Sequence, residues 1–253
     1  MKKNHFIYSY AGNKRQEVEH IIGCMSLKSI TTIIEPFCGS SAVSYYISTL
    51  YPKKYNYVLN DLDDKLIMLY NCAKDPEKLQ KLEDDVNILI IDINKEKYKN
   101  IIKNDTLESH IVKNKIYAIR PGLFPLDYKH KKIDLVNCPI VKFLQTENVN
   151  ITSEDGILCY NRFKDDKHNM LFIDPPYLIS CNDLYTNKQN CNIYEYLHKN
   201  DIKKEKAQII LCLENNWIIQ LLFNKHTKKL YDKKYEMSKK KTQHVVITNK
   251  KIN

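Results

Sequence analysis

The chain has 253 residues, 43% of them hydrophobic, and a net charge of +10 from 40 Lys and Arg against 30 Asp and Glu. That length suits one large α/β domain, or a core carrying an insertion. No apolar stretch is long enough to span a bilayer, and the basic start Met1-Lys2-Lys3-Asn4-His5 lacks the apolar segment of a secretory signal, so a soluble, cytoplasmic protein with no membrane association is expected.

The positive balance points to a polyanion partner. The chain is also heavy in Lys, Asn, Ile and Tyr, whose codons are rich in A and T, so mutational bias toward an AT-rich genome, of the viral or microbial kind, accounts for part of it. Only Arg15, Arg120 and Arg162 are arginines, the residue type that reads guanine edges bidentately. The charge therefore speaks for attraction to phosphate more than for sequence readout. None of the eight cysteines forms a Cys-x-x-Cys pair, and no His cluster accompanies them. They read as reduced thiols, and no metal is expected.

In chain order, Tyr8-Ser9-Tyr10-Ala11-Gly12-Asn13-Lys14 is a polar, glycine-bearing loop before a helical pattern from Glu17 to Met25. Ile30 to Ile34 is a β-branched run and reads as a strand. It flows into Glu35-Pro36-Phe37-Cys38-Gly39-Ser40-Ser41 and then a helix from Ala42, the layout of the first βα unit of a nucleotide-binding sheet. There is no Gly-Lys-Ser/Thr of a P-loop and no full Gly-x-Gly-x-x-Gly, which disfavours a pyrophosphate ligand. Tyr55 to Leu59 is a second strand, ending in Asn60-Asp61-Leu62-Asp63. An acid there either holds a ribose or caps the helix from Lys65 to Cys72.

From residue 75 to 149 the character changes. A charged helical stretch runs from Asp75-Pro76 to Lys103, with Leu79, Leu82, Val86 and Leu89 at helical spacing. A turn-rich Arg120-Pro121-Gly122-Leu123-Phe124-Pro125 and a basic Lys129-His130-Lys131-Lys132 follow. The segment reads as an inserted, mainly helical subdomain whose lysines either meet phosphate or form a solvated basic face. Ile151 to Tyr160 reads as a strand or a short helix.

Met170-Leu171-Phe172-Ile173 is a short buried strand, stopped by Asp174-Pro175-Pro176-Tyr177. Two prolines without N–H groups cannot continue a ladder, and a residue before proline is pushed into extended backbone. An acid, a fixed carbonyl and an aromatic ring thus converge at the carboxyl edge of a sheet, where open α/β sheets bind ligands. Taken by itself, the tetrapeptide is equally a proline-rich turn. A polar loop from Ser180 to Asn192, with Tyr185 and Lys188, leads to a short helix from Tyr194 to Asn200. Ala207 to Leu213 is a buried strand, Trp217 to Phe223 an amphipathic helix, and Tyr231 to Met237 and His244 to Asn249 are terminal strands joined by a basic turn, Ser238 to Gln243.

The order of the Lys14 loop, Glu35-Pro36-Phe37-Cys38-Gly39, Asn60-Asp61, an insertion, Asp174-Pro175-Pro176-Tyr177 and His244-Val245-Val246-Ile247-Thr248-Asn249 resembles the Dam-type (alpha-group) adenine-N6 specific DNA methyltransferases. The resemblance implies a Rossmann-like methyltransferase sheet of residues 1–74 and 150–253, with a target-recognition subdomain at 75–149. It implies an S-adenosylmethionine-dependent enzyme that methylates the N6 amine of a flipped-out adenine in double-stranded DNA. Tyr10 and Lys14 would touch the cofactor's methionine end, with Asn13 in the same loop. Glu35, Phe37 and Gly39 would line the cofactor pocket, Asp61 would hold the ribose hydroxyls, and Asp155 would approach the adenine of the cofactor. Asp174, Pro175 and Tyr177 would hold the target base, with Pro176 completing the tetrapeptide. Ser41 stands where many relatives have a second glycine, and residues 115 to 132 depart from the family's usual pattern. An RNA amino-methyltransferase on the same fold and a catalytically silent nucleic-acid-binding protein are the alternatives.

Overall fold

The computed structural model describes residues 6–8, 10, 12–116, 122–129, 131–177, 192–234 and 241–250. Along the chain, α1 (Val18–Ile22), β1 (Thr32–Glu35), α2 (Ala42–Leu50) and β2 (Asn56–Asn60) come first. Five helices follow: α3 (Asp64–Ala73), α4 (Pro76–Leu89), α5 (Lys95–Ile101), α6 (Leu107–Ile116) and α7 (Pro139–Leu144). The remainder is β3 (Val149–Thr152), α8 (Gly156–Phe163), β4 (Asn169–Ile173), α9 (Asn192–Lys199), β5 (Gln208–Glu214), α10 (Trp217–Leu222), β6 (Thr227–Lys234) and β7 (Lys241–Thr248). Arg120, Pro121, His130 and most of the polar loop after Tyr177, with Tyr185 and Lys188, lie outside the described residues.

Internal contacts divide the chain into two compact units. The first holds residues 13–63 and 148–253 and contains all seven strands in the order β3-β2-β1-β4-β5-β7-β6. β1 to β5 run parallel, and β7 enters antiparallel between β5 and β6. The chain builds outward from β1 through β2 to β3, then returns to lay β4 on the other side of β1. The carboxyl ends of β1 and β4 therefore flank the switch point of the sheet, where crossovers diverge and leave a crevice. β4 is buried at every position, and β5 at all but its last. Strands covered on both faces read as continuous apolar runs, as these two do. Ile34, Leu171, Ile173, Ile209, Leu211 and Val245 share one core cluster with residues of α8, α9 and α10. Each such fully buried aliphatic side chain contributes roughly 1.5–3 kcal/mol.

Several elements differ from their expected bounds. β6 begins at Thr227, ahead of Tyr231, because Thr227, Lys228, Lys229 and Leu230 already pair with Thr248, Ile247, Val246 and Val245 of β7, a pairing that lysine content conceals in the sequence. Lys241, Thr242 and Gln243, expected in a turn, lie in β7. The Ile151–Tyr160 segment is both a strand and a helix: β3 ends at Thr152, and Asp155 caps α8 by accepting from the N–H groups of Ile157 (2.8 Å) and Leu158 (3.4 Å).

The second unit holds residues 2–12 and 64–147, so it also takes in α3 and the N-terminal segment. Two of its helices, α4 and α5, start on side-chain caps. Asp75 accepts from Glu77 and Lys78 N–H groups ahead of Pro76, and Asn94 accepts from Lys97 N–H. Buried Glu83 of α4 accepts from the N–H groups of Leu135 (2.8 Å) and Val136 (3.0 Å). The Asn87 side chain brackets Ile133, donating to its carbonyl and accepting from its N–H. The basic 131–137 segment is thereby pinned to α4. Cys24, Cys38, Cys72, Cys138, Cys159 and Cys212 are free thiols. Among the described residues no helix is long and apolar enough to cross a membrane.

Candidate active site

The turn after β1 is held by its neighbour strand. Cys38 N–H donates to the Asn60 carbonyl (2.8 Å), and Ser41 N–H to the Cys38 carbonyl (2.7 Å). Gly39 has φ +45° and Ser41 φ +48°, both in the left-handed region that favours glycine. Serine meets this left-handed backbone at position 41 at a cost of roughly 1–2 kcal/mol. Gly39 N–H donates to Asp61 Oδ2 (2.9 Å), and Asp63 N–H to Asp61 Oδ1 (3.1 Å). Burial pushes the Asp61 carboxyl up, and these N–H groups pull it back.

Asn60 is fully buried and joins three strand ends. Its Nδ2 donates to the carbonyls of Pro36 and Glu154, both at 2.9 Å. Its Oδ1 accepts from Thr152 Oγ1 (2.9 Å) and Glu154 N–H (3.0 Å). Glu35, 1% exposed at the end of β1, accepts from Ser44 N–H at 2.7 Å, and burial lifts its carboxyl to about 7. Phe37 lies against Gly156, the first residue of α8: a Cβ added at Gly156 would meet the Phe37 ring, with Cε1 only 2.6 Å away.

Asp174 follows β4 directly. Its Oδ2 accepts the ammonium of Lys14, which is 3% exposed, and its Oδ1 accepts from the Tyr177 hydroxyl at 3.3 Å. The Lys14 ammonium also sits 5.2 Å from the centroid of the Tyr177 ring. Burial is the largest single influence and opposes the charge on Lys14, yet its acidic neighbours, Asp174 first and then Cys212 and Glu17, together outweigh it and raise the pKa. Burial likewise raises Asp174, with Lys14 as the principal opposing influence. Such a pair is stable in a low-dielectric site only while both partners remain. Tyr194 of α9 donates to the Pro176 carbonyl at 2.9 Å and so anchors the tetrapeptide from the far side of the polar loop.

Of the residues singled out from sequence, Lys14, Asp174 and Tyr177 are in mutual contact, Gly39 bonds to Asp61, and Glu35 feels the charges of both Asp174 and Lys14. Asn13 serves its own loop, accepting from Arg15 N–H at 3.2 Å. Asp155 is exposed and caps α8. Tyr10 belongs to the helical unit, where it stacks on Tyr8 with centroids 6.4 Å apart.

Sequence reasoning missed a second layer. Glu17 Oε1 lies 2.6 Å from Lys233 Nζ, and Glu17 Oε2 accepts from the Tyr231 hydroxyl at 2.8 Å. His244 Nδ1 is 3.6 Å from Glu17 Oε2 and 3.4 Å from the Tyr177 hydroxyl. Cys212 Sγ meets the Tyr231 hydroxyl at 3.1 Å. A usable signal did exist. Tyr231 and Lys233 alternate onto one face of a strand, and Glu17 stands one helical turn after Lys14.

A family model described as D12 class N6 adenine-specific DNA methyltransferase matches residues 10–246. No curated protein matches the chain in sequence. Among solved structures it is similar to the precorrin 8w decarboxylase of Methanobacterium thermoautotrophicum, at TM-score 0.46 and 8% identity over 98% of each chain. It is also similar to precorrin-6y C5,15-methyltransferase from Geobacter metallireducens (TM-score 0.43, 10% identity, 92% of this chain and 86% of that one). A third is the rRNA methyltransferase AviRa from Streptomyces viridochromogenes (TM-score 0.41, 10% identity, 93% and 81%).

Proposed function

We propose residue roles from one premise: this chain belongs to the family of D12 class N6 adenine-specific DNA methyltransferases. It moves the methyl group of S-adenosylmethionine to the exocyclic N6 amine of adenine in DNA, on a Rossmann-like methyltransferase sheet. The observation that carries the residue reading is the contact of Lys14, Asp174 and Tyr177 at the end of β4.

In this reading Asp174 and the Pro175 carbonyl accept the two hydrogens of the adenine amine. That amine is a poor nucleophile because its lone pair is delocalised into the ring. Two fixed acceptors favour a more tetrahedral nitrogen with a localised lone pair. Lys14 holds the Asp174 carboxylate in place against its burial, and the Tyr194 hydroxyl holds Pro176. The ring of Tyr177 offers a face to the base.

Glu35, Phe37, Gly39 and Asp61 hold the cofactor, with Tyr10, Asn13 and Lys14 at its methionine end and Asp155 toward its adenine. The donor set fits that group. Two buried carboxyls, those of Glu35 and Asp61, would suit an ammonium and a pair of ribose hydroxyls, and the Phe37 ring would supply an apolar wall. S-adenosylmethionine supplies a methyl activated by a cationic sulfur.

The substrate is double-stranded DNA with the adenine swung out of the stack, since its amine is out of reach inside the duplex. Residues 75–149 serve target recognition, and the net charge of +10 favours a phosphate backbone. The protein works inside the cell, where that DNA is. The test is sequencing of DNA from cells expressing the protein, with detection of methyladenine. Methyladenine at one recurring sequence is expected, and its disappearance in Asp174→Asn. Undiminished methylation by that variant would overturn the role of Asp174.

A further inference from the structure

Beneath the tetrapeptide lies a charged cluster that the methyl-transfer reading does not use. Glu17 is 4% exposed and Lys233 8%. They face each other across 2.6 Å, the carboxylate from the start of α1 and the ammonium from β6. The remaining Glu17 oxygen accepts the Tyr231 hydroxyl and approaches His244 Nδ1, which in turn meets the Tyr177 hydroxyl. Tyr231 and His244 are register partners in the β6–β7 ladder, so the two contacts are set by one pairing. A continuous path thus runs from Glu17 through His244 and Tyr177 to Asp174. Glu17, Cys212 and His244 bring one donor atom each within 4.8 Å, a spacing that suits a cation. The Glu17 carboxylate there is already paired with the Lys233 ammonium, and the Lys14 ammonium acts on the same carboxylate.

We propose that Glu17 and Lys233 are positioning residues for methyl transfer, a buried ion pair that fixes Tyr177 and Asp174 toward the target amine. The inference rests on the assignment of Asp174 and Tyr177 given above. A buried ion pair is weak evidence of a stabilising role, because apolar residues of the same volume often do as well or better. A pair that orients a catalytic carboxylate has a reason to persist.

Asp174 is faced by Lys14 from the first loop, Glu17 from α1, Glu35 from β1 and Tyr177 from its own segment. Cys212 of β5 and Lys233 of β6 complete the set, with Tyr231 and His244 one contact further away. Within it Glu17 and Lys233 act on the Asp174 charge in opposite senses: the carboxylate disfavours ionisation and the ammonium favours it.

The experiment compares methyl transfer to unmethylated genomic DNA by the full chain and by Glu17→Gln, Lys233→Met, the double variant and Asp174→Asn. Measured for each are kcat against pH, the S-adenosylmethionine Kd by calorimetry and the melting temperature. Each single variant should lose kcat by roughly 10- to 100-fold with the cofactor Kd moving under about threefold. The acid limb of kcat should shift to lower pH in Glu17→Gln and to higher pH in Lys233→Met. The double variant should recover the melting temperature and keep a kcat at least about tenfold low. It alone decides the matter if the single variants do not fold. An acid limb unmoved in both single variants, or a double variant with full kcat, overturns the proposal while Asp174→Asn stays inactive. An active Asp174→Asn overturns the underlying assignment instead.

Discussion

The ammonium of Lys14 lies on the carboxylate of Asp174, 160 positions further along the chain. A loop residue near the first helix thus completes the residue that ends the central strand. Removing one member strands the other as a buried, uncompensated charge. Lys14→Met and Asp174→Asn should each cost about 3–5 kcal/mol, and the double variant much less than their sum. Urea unfolding of all four forms measures the coupling, and simple additivity would show that the pair is not the unit described.

Glu35 carries a pH signature with two opposite signs. Its carboxyl sits at about 7 in the folded chain against the ordinary 4.5 of a solvated glutamate. Between those values the native chain keeps a proton that the unfolded chain has released, so stability falls as pH rises through the window, by about 3 kcal/mol in all. Glu35→Gln keeps an acceptor for Ser44 and should be the more stable form at pH 8 and no more stable at pH 4. Cofactor affinity should run the other way. A carboxylate facing an ammonium binds best above pH 7, so calorimetric Kd for S-adenosylmethionine should tighten from pH 6 to 8 in the wild type and stay flat in Glu35→Gln.

His244 behaves in the converse manner. Burial and the Lys233 ammonium push its imidazole down to about 3. The unfolded chain binds a proton near 6.5 that the native chain refuses, so stability drops as pH falls from 6.5 toward 3, by about 1.4 kcal/mol per pH unit. Between pH 4.5 and 6.5 this slope opposes that of Glu35, and the wild type shows their difference. His244→Gln should flatten the acid side; unfolding midpoints at pH 5 and pH 7 that fall equally in both proteins would rule out the assignment.

Gly156→Ala isolates the cofactor wall. The new Cβ would meet the ring of Phe37, which must swing away. Because Ala is at least as good a helix former, α8 itself should survive. The expected result is a cofactor Kd weaker by roughly tenfold, about 1.4 kcal/mol, with an unchanged melting temperature. A Kd equal to that of the wild type would remove Phe37 from the pocket.

The parts of the site that are legible in the sequence are those encoded locally. A β-branched run, a glycine turn and a helix announce the β1 unit, and an apolar run cut by two prolines announces the end of β4. Both strands end where the chain reading puts their site residues, at Glu35 and just before Asp174. The Ile151–Tyr160 ambiguity has a local key as well, since Asp155-Gly156 before Ile157 is a helix start. The second layer offers only spacing cues, the alternation of Tyr231 with Lys233 and the turn from Lys14 to Glu17, and these do not say which residues meet. Glu17 alone reads as an ordinary acid in a first turn, Lys233 as an edge-strand lysine and His244 as one residue of a strand. Their meaning arises only when β7 inserts between β5 and β6, a topology that no local pattern encodes. The contact-defined unit begins at Asp64, ahead of the change of character at residue 75, for a related reason. α3 follows β2 directly in sequence, yet its packing partners are α4, α6 and α7.

Glu17 touches Tyr231 across 214 positions of sequence. Such a contact can form only once nearly the whole chain has been made. A nascent chain that has emerged only as far as β5 already carries the cofactor loops and the tetrapeptide, but not the hairpin that backs them. Translation therefore delivers Lys14 and Asp174 before Tyr231, Lys233 and His244, and under the proposed roles activity requires the last two strands.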